Sequence, residues 1–231
     1  MSENKIHSRS TALEVIEGHD LTGYEIIVTG GASGIGVETV RAFAKANARV
    51  ILAARDLAKA KSVADEIIKS TGNNKVEVEQ LDLASLKSVR AFVERYLAKK
   101  RHLNILVNNA GIMACPLAYT EDGFESQFGT NHVGHFVLTK GLIPALKEGA
   151  QKSGKNSRVI SVSSLAHAIS DVNLEDPNFK TREYEPWLSY GNSKSANVLF
   201  AVELNKRYSK DGIYSNAVMP GGIMTGIIKV N

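Results

Sequence analysis

The chain has 231 residues, 43% hydrophobic and 23% charged, enough apolar material for one domain with a sizeable core. Its formal net charge of +4 is spread among interspersed acids, without the basic block that a nucleic-acid surface calls for. A single cysteine, Cys115, excludes an intramolecular disulfide, and the polar start "MSENKIHSRSTALEVIEG" lacks a signal-peptide core; the expectation is a cytoplasmic protein with no transmembrane or metal-binding segment and a polar N-terminal arm over 1–22.

Apolar runs and helical patterns then alternate. "YEIIVTG" (Tyr24–Gly30) is short, β-branched and closed by glycine, which predicts a buried strand. "VETVRAFAKAN" predicts a helix and "ARVILAAR" a second strand. In "DLAKAKSVADEIIKS", Asp56 is placed to cap an alanine-rich helix. "KVEVEQLDL" is a third strand, "SLKSVRAFVERYLAKK" an amphipathic helix and "LNILVNNAG" a fourth strand. "NHVGHFVLTKGLIPAL", from Asn131 to Leu146, predicts a long apolar helix and "SRVISVSS" a fifth strand. A helix from about Trp187 to Tyr208 precedes a sixth strand, "YSNAVMPGG". The irregular piece "AHAISDVNLEDPNFKTREYEP" before that helix either lines a substrate cleft or is a surface loop. Strict alternation predicts an α/β architecture: a parallel sheet with helices on both faces, binding ligands beyond the strands' carboxyl ends where the strand order reverses.

"TGGASGIG" (Thr29–Gly36) joins the first strand to the first helix of this alternation. Glycines there let the backbone approach a pyrophosphate, with the helix N-terminus facing it; the alternative is a tight turn needed only for packing. The spacing of Gly30, Gly34 and Gly36, T-G-x-x-x-G-x-G, resembles the short-chain dehydrogenase/reductase family. Further motifs match in order: "NNAG" (Asn108–Gly111), Asn131 in "FGTNHVGHF", Ser164 at the end of "VSS", Tyr190 and Lys194 in "YGNSK", and "PGG" (Pro220–Gly222). "SRVISVSSLAH", "YGNSKSANVLFAVEL" and "STALEVIEGHDLTGYEIIVTG" look most like the branch containing retinol dehydrogenases and the WW-domain-containing oxidoreductase, here without a WW domain. The resemblance implies a Rossmann-type doubly wound sheet over 23–231. Family members continue past "PGGIMTGIIKVN", so six strands are expected, with the usual seventh and most of the substrate lid absent. Marginal stability or oligomerisation, with weak activity, is expected on that ground.

Tyr190 and Lys194 lie one helical turn apart on nearly the same face. A free tyrosine titrates near 10, and bringing it to about 7 takes about 4 kcal/mol of differential stabilisation. A unit positive charge about 4 Å away supplies a gross interaction of that size at an effective dielectric of about 20; the lysine and an oxidised, cationic nicotinamide would act together, with desolvation taking back part of the gain. The resemblance implies the roles. Tyr190 exchanges the proton with the substrate oxygen, Lys194 lowers the tyrosine pKa and holds the nicotinamide ribose, Ser164 orients the substrate oxygen, and Asn131 sustains a water-linked proton path through Lys194. Outside that resemblance, Ser164 reads as a strand-end turn residue and Asn131 as a polar helix residue.

The resemblance also implies cofactor contacts from Gly30, Ser33, Gly34, Ile35 and Gly36, from Asn109, Ala110 and Gly111, and from Tyr190, Lys194, Pro220 and Gly221. Asp82 and Leu83 resemble the family's adenine-contacting pair, although Asp82 also reads as a helix cap. At the end of the second strand, Ala54 stands where an NAD-preferring relative usually has an acid, and Arg55 offers a planar fork to a 2′-phosphate. NADP(H) is favoured over NAD(H). Ser33, where some NADP-preferring relatives carry a basic residue, weighs the other way, and Arg55 also reads as a solvated arginine.

His132 and His135 are three apart on a helix but lack the cysteines or acids of a metal site. "SVSS" lacks the glycines of a nucleophile elbow. The helices carrying Asn131 and Tyr190 can form a homodimer face or simply pack on the sheet. Two function classes follow: an NADP(H)-dependent oxidoreductase interconverting an alcohol and a carbonyl on a small lipophilic substrate such as a retinoid or steroid, or a catalytically weak dinucleotide-binding or interaction protein derived from one.

Overall fold

α1 (Ala12–Ile16) opens the chain, held by a capping box in which Thr11 and Glu14 each bond the other's backbone N–H. It packs beside α2 (Ile35–Lys45), so the segment read as a polar arm contains a docked helical turn. The Thr-x-x-Glu spacing was there to be read, but only five helical residues follow it. The computed structural model describes residues 6, 7 and 9–223; residues 1–5 and 8 of the expected arm, and 224–231 of the expected catalytic domain, lie outside the described residues.

β1 (Glu25–Thr29) is buried almost throughout, as a central strand of a parallel sheet must be. It pairs with β2 (Arg49–Ala54) on one side and β4 (Ile105–Asn108) on the other. β3 (Val76–Gln80), β5 (Ser157–Val162) and β6 (Ile213–Val218) complete a six-stranded parallel sheet of order β3-β2-β1-β4-β5-β6. Alternate residues of β1 face opposite layers. Ile26 and Val28 meet Val50, Leu52 and the inner faces of α2 and α3 (Leu57–Thr71). Ile27 meets Ile51, Leu106 and the side chains of α4 (Leu86–Ala98), α6 (Gly134–Ser153) and α7 (Pro186–Tyr208). These are the helices on both faces that the alternation predicts. The outer strand β3 carries Glu77, paired with Arg49 and Arg101, and Glu79, paired with Lys99, a charged edge that discourages pairing with another chain.

Local chemistry sets the helix ends. Asp56 caps α3, its Oδ1 accepting from the Lys59 N–H at 3.0 Å. Ser85, not Asp82, caps α4. The Asp82 carboxylate instead accepts from the Ala84 N–H. α6 runs to Ser153 rather than stopping near Leu146. Pro144 does not break it, because Pro144 and Lys140, whose carbonyl the proline ring leaves without a partner, are both exposed to water. Before α6, α5 (Ser126–Phe128) passes into a π-helical turn at Gly129–Val133. Asn131, expected to open a regular helix, lies inside this wider turn.

Candidate active site

The strand order reverses between β1 and β4, so their carboxyl ends diverge into a crevice. The turn after β1 is built for close approach. Gly30 has φ +65°, and a Cβ there would lie 2.9 Å from the Ala110 Cα; one on Gly36 would lie 2.3 Å from the Gly30 carbonyl oxygen. The first turn of α2 therefore lies against the glycine turn, and that turn against the loop after β4. An open cleft of about 340 Å³ follows. Gly30 and Ser33 line one wall, Asp82 and Leu83 another, and Ala110, Gly111 and Thr130 the end nearest β4. Arg55 and Lys59 close the far side, both exposed. Among the described residues neither cation is ion-paired to an acid.

The loop after β4 is held by backbone and side chain together. The Asn109 and Ala110 N–H groups donate to the Thr29 hydroxyl at 2.9 and 3.0 Å, and the Asn109 amide donates to the Thr29 carbonyl. Asn131, fully buried, pairs with Ile112 twice: its Oδ1 accepts from the Ile112 N–H and its Nδ2 donates to the Ile112 carbonyl. Nδ2 also donates to the Ser193 hydroxyl, which donates in turn to the Tyr190 carbonyl. The Asn131 side chain thus ties the crevice loop to α7. A Cβ on Gly111 would lie 3.1 Å from Asn131 Oδ1 and 3.7 Å from Lys194 Nζ, so the glycine lets both approach the loop.

α7 starts at Pro186, with Glu185 as cap accepting from the Leu188 N–H. Residues 189–197 are all buried, although most are small or polar, because the helix is covered on several sides at once. Each side makes its own contacts. Ser195 donates to the carbonyls of His167 and Ser170, Asn192 Oδ1 accepts from the Asn173 N–H, and a Cβ on Gly191 would meet the Ala166 carbonyl at 2.7 Å. The irregular segment after β5 is therefore pinned to α7 rather than loose on the surface. Its far end is fastened at Tyr184, whose hydroxyl donates to the Cys115 carbonyl and accepts from the Gln127 amide.

Tyr190, 5% exposed, packs edge-on against the half-exposed Trp187. The Lys194 ammonium lies 5.4 Å from the Tyr190 ring centroid and donates to the Val162 carbonyl at 2.9 Å. Ser164 follows β5, its hydroxyl accepting from the Ala166 N–H. Burial raises the Tyr190 pKa above its ordinary value, and the neighbouring Ser164 hydroxyl opposes that rise. In the chain alone desolvation dominates, the lysine being itself buried and turned to a carbonyl; the expected shift toward neutrality calls on the positive charge of an oxidised nicotinamide as well.

Burial pushes the Lys194 pKa down to about 8 from its ordinary 10.5. The unfolded chain keeps this proton up to the higher value while the folded chain releases it at the lower one. Between the two, the unfolded state holds more protons, so stability rises with pH. Relative to Lys194→Met, the wild type is expected to gain on the order of 2–3 kcal/mol between about pH 7 and about pH 10, read by urea unfolding at both pH values. A difference that is flat or falls with pH would contradict the burial of a charged amine at this position.

The sequence-derived residues fall into groups. Gly30, Ser33, Arg55, Asp82, Leu83, Ala110 and Gly111 line the cleft. Gly34, Ile35, Gly36 and Asn109 support it from the first turn of α2 and the loop after β4. Ser164, Tyr190 and Lys194 come together beside it without lining it, and Pro220 and Gly221 follow β6 toward the surface. Lys59, in the first turn of α3, was not singled out in the sequence. The π turn and the Ser195 and Asn192 clasps leave no comparable mark in the sequence. His132 faces Asn197. Among the described residues no group of three or more histidines, cysteines or acids is placed to hold a metal, and no helix is long and apolar enough to cross a membrane.

Residues 25–230 match a family model described as short chain dehydrogenase. Retinol dehydrogenase 12 of Mus musculus is 45% identical over 209 residues, covering 90% of this chain but 64% of that protein. A crystal structure of a protein from Mycobacterium Paratuberculosis matches with a TM-score of 0.78 at 42% identity, covering 92% of this chain and 72% of the other. The Pseudomonas aeruginosa RhlG/NADP active-site complex matches at 0.72 with 27% identity, covering 90% and 76%.

Proposed function

This chain belongs to the short-chain dehydrogenase family, and we propose that it is an NADP(H)-dependent oxidoreductase interconverting an alcohol and a carbonyl on a small lipophilic molecule of the retinoid or steroid class. The observation that carries this reading is the convergence of Ser164, Tyr190 and Lys194 beside a glycine-walled cleft. The close approaches at Gly30 and Gly36 suit a pyrophosphate, which needs backbone N–H groups with no Cβ in the way. In this reading the glycine turn and the start of α2 hold the phosphates, Asp82 and Leu83 hold the adenine, and Lys194 holds the nicotinamide ribose. The dinucleotide, when bound, supplies or accepts the hydride.

The side chains handle the rest. Ser164 orients the substrate oxygen and Tyr190 gives or takes its proton. With its pKa raised by burial, Tyr190 is protonated in neutral solution, the state needed to donate to a carbonyl oxygen during reduction. Asn131 holds the crevice loop against α7 and, as the family resemblance implies, lies on a water-linked proton path through Lys194. A lipophilic substrate is supported by Leu165, Ile169, Leu174, Trp187 and Leu188, apolar residues exposed on the segment after Ser164 and the start of α7. The test is to follow reduced-nicotinamide absorbance with the purified chain, NADPH and a panel of retinoid, steroid and short-chain carbonyls. Turnover on the apolar members supports the proposal. Cofactor binding with no turnover on any member leaves a dinucleotide-binding protein and overturns it.

The choice of NADP(H) rests on Arg55 and Lys59 at the cleft's far side and on Ala54, which carries no charge to repel a 2′-phosphate. Arg55→Ala is expected to weaken NADP(H) binding by about 1.5–3 kcal/mol, the scale of hydrogen bonds to charged groups, and to leave NAD(H) nearly unchanged. Fluorescence titration with both cofactors reads this, and equal losses would remove Arg55 from the phosphate site.

A further inference from the structure

His135 is not needed for any of the chemistry above, yet it is buried behind the crevice between the glycine turn and the π turn. It is 2% exposed. Its Nδ1 lies 2.9 Å from the Asn131 carbonyl oxygen and its Nε2 2.8 Å from the Thr29 hydroxyl. A carbonyl only accepts, so Nδ1 carries the hydrogen, and in a neutral ring Nε2 is then a lone pair. The Thr29 hydroxyl must donate to Nε2, its Val107 alternative being longer at 3.4 Å. With its hydrogen so directed, the Thr29 oxygen has both lone pairs free for the N–H groups of Asn109 and Ala110, which occupy them. The four links from Asn131 through His135 and Thr29 to Asn109 and Ala110 are all made, and in one sense only.

We propose that His135 is a positioning residue whose Nδ1–H tautomer fixes the direction of this chain, setting the π turn of Asn131, the glycine turn after β1 and the loop after β4 in one register. Without it the Thr29 hydroxyl and the Asn131 carbonyl each lose a buried partner. The Thr29 hydroxyl that accepts from Asn109 and Ala110 is then left with only the longer Val107 carbonyl to donate to, which loosens one of the loop's attachments. Burial supports a neutral ring, pushing the His135 pKa down to about 4. The effect of His135 on turnover rests on the oxidoreductase reading above; its tautomer and its hold on the loop do not.

Nitrogen-15 NMR of the histidine rings in the wild-type chain tests the first part. The expected result is a neutral Nδ1–H ring that does not titrate between about pH 5 and 8. An Nε2–H tautomer, or titration near an ordinary histidine value, overturns the proposal whether or not the protein is an enzyme. His135→Leu keeps apolar volume and removes both bonds, whereas His135→Gln retains an amide able to donate to one partner and accept from the other. In the Leu variant the Asn109 and Ala110 amides are expected to exchange with solvent faster, and kcat to fall by about tenfold to a hundredfold, the scale of a misplaced reacting geometry. The Gln variant is expected to recover much of both. A residue needed only for packing predicts the opposite order, Leu at least as good as Gln, and that order would overturn the proposal. If the wild type shows no turnover, amide exchange in the two variants decides between the same outcomes.

Discussion

Tyr190→Phe is expected to abolish oxidoreductase turnover while leaving fold and dinucleotide affinity nearly intact. The substitution removes one hydroxyl and keeps the ring, so the edge-on contact with Trp187 and the burial of residue 190 persist. What disappears is the phenol hydroxyl beside Ser164. A positioned acid–base group contributes roughly a hundred- to ten-thousandfold in rate. A loss within or beyond that range in kcat, with an unchanged melting temperature and NADPH titration, identifies Tyr190 as the proton-handling residue. Near-normal turnover would assign the proton to another group. Loss of cofactor binding in parallel would mean the hydroxyl is structural.

Gly36→Ala is expected to damage binding before chemistry. The added methyl would sit 2.3 Å from the Gly30 carbonyl oxygen and 2.8 Å from the Asn109 amide nitrogen. Neither neighbour yields easily: the Gly30 carbonyl accepts from the Ser33 N–H, and the Asn109 amide is bonded to the Thr29 carbonyl. The turn must open or α2 must shift, at a cost on the order of 1–3 kcal/mol for overpacking at a tight site. A dinucleotide titration should show affinity falling by about tenfold or more, and a thermal melt should show a lower midpoint. Wild-type affinity in this variant would mean that the glycine turn is not where the pyrophosphate lies.

The sheet and its order of elements were legible because the inner strands are short apolar runs, β3 alternates valine with glutamate, and the longer helices carry a cap or a period. Asp56 and Pro186 mark their helix starts in the sequence and in the structure alike. The candidate site was legible in part. Tyr190 and Lys194 share a helix, so spacing alone places them on one face. Asn131 and Ser193 are 62 residues apart, and Thr29 and His135 are 106 apart. Only the folded sheet brings such pairs together, and no periodicity encodes them. The extent of burial around Tyr190 was illegible for a related reason: a charge can be counted in a sequence, but the desolvation that opposes it is a property of the packed helix. Asp82 was similarly ambiguous, and the cap went to Ser85, nearer the first turn it serves.

The position of β1 between β2 and β4 also bears on how the chain is made. Ile27 meets Ile51 on one flank, early in the chain, and Leu106 on the other, far later. Synthesis proceeds from the N-terminus at roughly 5–20 residues per second, and distant pairings wait for their loop to close. The unit from β1 to β3, with the glycine turn, Arg55 and Asp82, can collapse around the layer shared with α2 and α3 while the rest of the chain is still emerging. One flank of β1 then stands open, an apolar strand with unmatched backbone groups, until β4 slots in beside it. A pause in synthesis before residue 105 would prolong the exposure of that flank, the kind of unpaired apolar edge that invites pairing with another chain.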